Sequence, residues 1–296
     1  MRVFVTGATG FIGTAIVQEL RSAGHQVVGL ARNDSAARTL TRLGVEAHRG
    51  DLEDHQSLTA GARAADGVIH TAFIHDFDAY AQAAEVDRQA IAALARALEG
   101  TDKPLVAASG TLLLPSGRLA TESDEPPRDR AIAARVASEQ TLLAAAQQGV
   151  RTCLIRLAPS VHGVGDKGFI PALIQVARRS GISAHVGDGS NRWPAVHRLD
   201  AAHLFRLALE KAPPATVLHG VAEEGIPLRS IAETIAHALH VPVRAIPPEE
   251  AQAHFDWMSL FLGYDNPTSS AHTQALLDWH PRGPDLLSDV RENYFA

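Results

Sequence analysis

The stretch Thr6-Gly7-Ala8-Thr9-Gly10-Phe11-Ile12-Gly13 limits what this chain can fold into more than any other. It follows a short β-rich run, Val3–Thr6, and opens a helical pattern over Gly13–Ala23. Gly7 and Gly10 permit a tight turn and let the backbone approach a diphosphate. Gly13 lets the helix pack close to the strand. The start of the helix, around Phe11 and Ile12, then presents unpaired N–H groups to negative charge, with Thr9 on the turn itself. A strand on one side and a helix on the other distinguish this from an ordinary glycine turn.

The alternation continues downstream. Gln26–Leu30, Val45–His48, Gly67–Thr71, Leu105–Ala108 and Thr152–Leu157 read as strands. Helical patterns lie near Ser35–Leu43, Asp78–Leu98 and Asp129–Gln148. Strands alternating with helices predict an α/β fold, a Rossmann-type doubly wound parallel sheet with right-handed crossovers. After Pro159 the rhythm changes. Helical patterns near Phe169–Arg179 and Ala201–Lys211 flank a glycine-rich stretch, Gly181–Asn191, and prolines punctuate the remainder. The expected organisation is a cofactor domain over 1–160 and a smaller, mainly substrate-binding lobe over 161–296, with Val186–His197 a segment able to return to the first.

The formal net charge of −6 is spread along the chain and leaves no basic stripe, which argues against a nucleic-acid partner. No apolar stretch is long enough to cross a bilayer, and the N-terminus lacks a signal-peptide core. Cys153 is the single cysteine, in an apolar run, so no internal disulfide forms. A cytoplasmic protein is the expectation. No pair of potential metal ligands has a third nearby, so no metal is predicted.

The spacing T-G-x-x-G-x-x-G resembles that of the extended and atypical short-chain dehydrogenases/reductases. The resemblance covers most of the chain and includes Gly50-Asp51-Leu52, Ile69-His70-Thr71-Ala72 and Ala108-Ser109-Gly110. It implies that Asp51 and Leu52 contact adenine, although Asp51 also suits a helix cap. It implies further that Thr71, Ala72 and Phe73 line the cofactor, and that Pro159, Ser160 and Val161 touch the nicotinamide carboxamide. A homodimer through the two long helices is the family's usual assembly.

The end of the second strand reads Leu30-Ala31-Arg32-Asn33. An NAD site usually has a carboxylate there for the ribose diol. Ala31 stands in that place and Arg32 follows it. A guanidinium fork matches a 2′-phosphate in charge and shape, so NADP(H) is the expected cofactor.

The family's usual centre is a Ser or Thr with Tyr-x-x-x-Lys. Counting back from Glu139, Arg135 falls on the Lys position and Ala131 on the Tyr position. The three tyrosines, Tyr80, Tyr264 and Tyr294, lie elsewhere in sequence. This departure is similar to the atypical subgroup, which includes short-chain imine reductases. Arg135 can bind ribose and add positive potential but does not release a proton near neutrality. Ser109 is the first candidate for the hydroxyl position and Thr111 the second, with one register placing Gly110 there. Hydride addition to an iminium yields a neutral amine and needs no acid in that step, whereas a ketone needs one.

Of the 15 histidines, His75 follows the fourth strand at the expected rim and His162 follows the sixth; with His197 as a third, they are candidate acids or substrate contacts. Phe169 and Trp193 are candidate walls of an apolar pocket for a small-molecule substrate. Three readings follow: an NADPH-dependent reductase of C=N or C=O bonds, a non-catalytic NADP(H)-binding sensor, and a nucleotide-sugar epimerase or dehydratase.

Overall fold

Apolar residues alternate along the first strand in a way that fixes a two-faced sheet. Val3 and Val5 of β1 (Arg2–Thr6) point into one core, and Phe4 points into the other. In the computed structural model, which describes residues 1–76, 79–127 and 134–295, β1 is central to a seven-stranded sheet. Its other members are β2 (Gln26–Ala31), β3 (Glu46–Arg49), β4 (Gly67–His70), β5 (Pro104–Gly110), β6 (Arg151–Leu157) and β10 (Thr216–Gly220). The order is β10-β6-β5-β4-β1-β2-β3, and every pairing is parallel. The chain reverses direction across the sheet between β1 and β4, and in such sheets the crevice beyond those two strand ends is where ligands bind.

Helices α1 (Phe11–Ser22), α2 (Asp34–Arg42) and α7 (Arg198–Lys211) cover the face of Val3 and Val5. Ile16, Leu20, Leu40, Leu204 and Phe205 are buried there. Helices α3 (His55–Arg63), α4 (Tyr80–Leu98) and α5 (Val136–Ala144) cover the face of Phe4. The sequence pattern did not announce α3. Its Gly61 lies against the Phe4 ring, where an added Cβ would come within 2.6 Å, so close packing and not periodicity places this helix.

The long helix expected over Asp129–Gln148 is described as α5 followed by a tighter turn, Ala145–Gln148, that stops at Gly149 in the left-handed region (φ 72°). Ala131 lies outside the described residues, as does Asp78 at the expected start of α4.

The remaining elements build the second lobe. Strand β9 (Arg192–His197) lies between β7 (Ser160–His162) and β11 (Glu223–Pro227), and β8 (Ser183–Val186) pairs with β12 (Val243–Ile246). The segment 186–197 therefore pairs within this lobe, and β10 is the piece that returns to the main sheet. Helices α6 (Phe169–Ser180), α8 (Leu228–Leu239), α9 (Ala251–Phe255), α10 (Ser259–Leu262) and α12 (Leu286–Asn293) supply its core, and α11 (Ala271–Leu277) packs on β10. No helix among the described residues is long and apolar enough to cross a membrane.

At Gly13 the start of α1 is packed too closely for a side chain. A Cβ on Gly13 would sit 2.0 Å from the Gly7 carbonyl oxygen. Gly13→Ala is therefore expected to lower stability by about 1–3 kcal/mol through overpacking. Thermal unfolding will show it as a reduced Tm.

Candidate active site

Thr6, the last residue of β1, organises the crevice. Its carbonyl accepts hydrogen bonds from Thr71 N (3.3 Å) and Thr71 Oγ1 (2.9 Å), which ties the end of β4 to the glycine turn. Gly7 has φ of 71°, and a Cβ there would meet Ala72 N and Thr71 Oγ1 at 2.8 Å. Gly10 caps α1 without a side chain, and Thr9 and Gly10 are exposed. The first N–H groups of α1 are thus spared a side-chain cap. A diphosphate fits this turn on sterics and on the helix charge.

Behind the turn runs a buried polar chain. Thr6 Oγ1 lies 2.8 Å from His70 Nδ1, and His70 Nε2 lies 3.1 Å from Asp87 Oδ1 on α4. A neutral His70 protonated on Nε2 satisfies both: it accepts from Thr6 and donates to Asp87. Burial pushes the Asp87 carboxyl up, but the His70 hydrogen bond and the Arg135 charge outweigh it and hold the carboxyl below its ordinary value. Asp87 Oδ2 faces Arg135 Nε at 3.9 Å.

Arg135 is fixed from three sides. Its Nη2 donates to the Ala108 carbonyl on β5 at 3.0 Å. Its guanidinium carbon lies 4.1 Å from the centroid of the Phe73 ring. Asp87 supplies the countercharge. Next to Ala108, the buried Ser109 hydroxyl has no hydrogen-bond partner among the described residues. His75 packs edge-on against Phe73 at 5.4 Å, and burial followed by the Arg135 charge lowers its pKa. The structure thus brings Phe73, His75, Ser109 and Arg135 to the ends of β4 and β5.

Other candidates are placed differently. Thr111 is spent on the second lobe: its hydroxyl donates to Asn266 Oδ1 (2.8 Å), and Asn266 Nδ2 donates to its carbonyl (2.9 Å). His162 is buried, its Nδ1 2.7 Å from Asp289 Oδ2 of α12, so it pairs inside the lobe instead of facing an open rim. His197 meets His162 edge-on, with centroids 5.4 Å apart, and caps α7. Trp193 is fully buried and donates to the Tyr264 carbonyl (3.2 Å). Phe169 covers it, with centroids 4.9 Å from Trp193, 5.4 Å from Trp257 and 5.5 Å from Phe261.

On the adenosine side, Ala31 is buried at the end of β2 and Arg32 is exposed. Arg32 makes no hydrogen bond or ion pair among the described residues. Asp51 Oδ1 accepts from Glu53 N (2.9 Å) and Asp54 N (3.0 Å), and Leu52 packs on the sheet. Pro159 and Val161 are half-buried, and the Ser160 hydroxyl is buried without a partner among the described residues. Among the same residues no three His, Cys, Asp or Glu side chains cluster as a metal site.

Residues 3–218 match the NAD-dependent epimerase/dehydratase family. The chain belongs to that family. An uncharacterised protein of Schizosaccharomyces pombe is 48% identical over 296 residues, the full length of both chains. The 2-alkyl-3-oxoalkanoate reductase of Stenotrophomonas maltophilia is 31% identical, covering 82% of this chain and 77% of its own. A dTDP-glucose 4,6-dehydratase of Streptomyces venezuelae, solved with NAD bound, shares the fold with a TM-score of 0.80 at 18% identity, over 99% of this chain and 95% of its own.

For a member of the epimerase/dehydratase family, the residues that sequence reading passed over are informative. Asp87 did carry a signal. It sits in the buried stripe Ala83, Ala84, Asp87, Ala90, Ile91, Leu94, where a lone carboxylate needs a partner. Asn266 and Asp289 carried none, because their partners lie more than a hundred residues away.

Asp87 also sets a pH dependence. Its folded pKa is depressed, so its stabilisation is complete above about pH 4, the ordinary carboxylate range, and is lost as pH falls through the folded value. Asp87→Asn is expected to be less stable than the parent at pH 7. Urea titrations will show that difference shrinking as the solution is acidified.

Proposed function

We propose that the protein is an NADPH-dependent reductase that reduces a C=O or C=N bond of a small, largely apolar substrate. The observation that carries this reading is the fixed guanidinium of Arg135, held at the end of β5 beside the unspent hydroxyl of Ser109. The relationship to a curated oxoalkanoate reductase supports it.

In this reading Gly7, Thr9, Gly10, Phe11, Ile12 and Gly13 hold the diphosphate, and Asp51 and Leu52 flank the adenine. Thr71, Ala72, Phe73, Pro159, Ser160 and Val161 line the remainder. Arg32 takes the 2′-phosphate, for which the missing carboxylate at Ala31 leaves room and removes repulsion. When bound, the cofactor supplies a hydride.

Arg135 stays protonated and stabilises negative charge developing on a carbonyl oxygen. Ser109 donates a hydrogen bond to the same oxygen or to the cofactor ribose. His75, with its lowered pKa, is neutral near pH 7 and serves as an N–H donor rather than a proton reservoir. The aromatic group around Phe169 excludes water and suits an apolar substrate. The reading includes a cytoplasmic homodimer through α4 and α5; a monomer mass in light scattering would remove that part.

A screen of NADPH oxidation with ketones and cyclic imines tests the reading. Turnover supports it. Tight NADPH binding without turnover points to a sensor, and NAD retained through purification points to an epimerase. Arg32→Glu is expected to weaken NADPH binding at least tenfold, about 1.4 kcal/mol, while sparing NADH. Fluorescence titration with both nucleotides reads it, and unchanged NADPH affinity would remove Arg32 from the phosphate site.

A further inference from the structure

We infer that Tyr80, the first residue of α4, is the proton donor of this site, replacing from a different helix the phenol that position 131 lacks. The inference rests on the reductase reading. Its basis is spatial. The Tyr80 ring lies 5.9 Å from the Phe73 ring, the same ring on which the Arg135 guanidinium is stacked at 4.1 Å. Tyr80 also packs against the apolar core of the second lobe, which includes Leu113 and Phe255 and on which Phe169 rests. The Tyr80 ring therefore stands between the Arg135–Phe73 pair and the second lobe.

The surroundings keep the phenol protonated, and among them Arg135 alone favours giving the proton up. Burial raises the Tyr80 pKa and the Arg135 charge opposes that rise, so the phenol keeps its proton across the physiological range. Asp87 and Glu139 also face it and favour the protonated form. Reduction of a ketone balances as follows. The reduced nicotinamide gives a hydride to the carbonyl carbon, and the C=O π pair moves to oxygen. The Tyr80 O–H proton goes to that oxygen, leaving an alcohol, the oxidised nicotinamide and a phenolate. Arg135 steadies the phenolate until water reprotonates it. An iminium substrate needs no proton in its hydride step, so Tyr80 matters only for carbonyl compounds.

The test is Tyr80→Phe, which keeps the ring and its packing. Circular dichroism and NADPH affinity, measured by fluorescence, are expected to match the parent within twofold. With a panel of aryl and alkyl ketones and cyclic imines, the ratio of ketone to imine kcat is expected to fall about 100-fold or more, the range of a lost general acid. A second readout needs no turnover. In the dead-end complex with NADP+ and carbonyl-labelled acetophenone, the parent is expected to show a carbonyl stretch lowered by the phenol hydrogen bond, and Tyr80→Phe to lose that shift. An unchanged ketone-to-imine ratio with an unchanged stretch overturns the role of Tyr80 while leaving the reductase reading in place. A parent protein that binds NADPH but oxidises it with no member of the panel overturns the reductase reading, and the donor with it. A variant that loses NADPH binding as well overturns the donor role in favour of a structural one.

Discussion

The contact between α1 and the turn that precedes it is the constraint on which the rest of the structure depends. The Gly7 carbonyl accepts from Gly10 N at 2.8 Å and leaves no room for a side chain at Gly13. That packing aims the N-terminus of α1 at the crevice and sets its distance from β1. The same turn is closed from the other side by Thr71 and Ala72, so the ends of β1 and β4 cannot separate without breaking it. The proposed diphosphate site and the candidate rim thus share one rigid unit, with loop chemistry added around it.

Much of this was legible in the sequence because it is local. The glycine spacing, the strand runs Val3–Thr6 and Thr152–Leu157, and the long pattern ending at Leu98 all follow from periodicity and backbone freedom within a few residues. The structure's β1, β6 and α4 agree with them to within a residue or two. Helix α3 escaped because its nine residues carry a single fully buried large side chain, Leu58, and a glycine whose purpose is to admit Phe4. Strand β10 escaped because its place beside β6 is decided by a non-local pairing from Thr216–Cys153 to Gly220–Leu157.

The site divides along the same line. Arg135 could be placed by counting along one helix, and Ser109 by its position at a strand end. Their environment could not, since it comes from β1, β4 and α4 together. The settings of two other candidates are equally instructive. His162, expected near the nicotinamide, and Trp193, expected at a pocket wall, are both buried in the second lobe. One is paired with Asp289, and the other sits under Phe169 with its indole N–H satisfied. Sequence position locates a residue near a strand end, but burial decides whether it faces the crevice or the core.

The division of labour within the crevice follows from what arginine can and cannot do. A lysine beside a tyrosine on one helix lets a single element supply both cation and phenol. Arginine at 135 keeps its charge at every accessible pH, so it can stabilise but never relay a proton. In the proposed reaction the proton comes from another element, and α4 reaches this charge through Asp87. The first residue of α4 packs against the second lobe while its second turn anchors the cation. A change in either end of that helix therefore acts on the same rim. In the proposed mechanism, electrostatic stabilisation and proton supply are coupled through one rigid rod and not through one short motif.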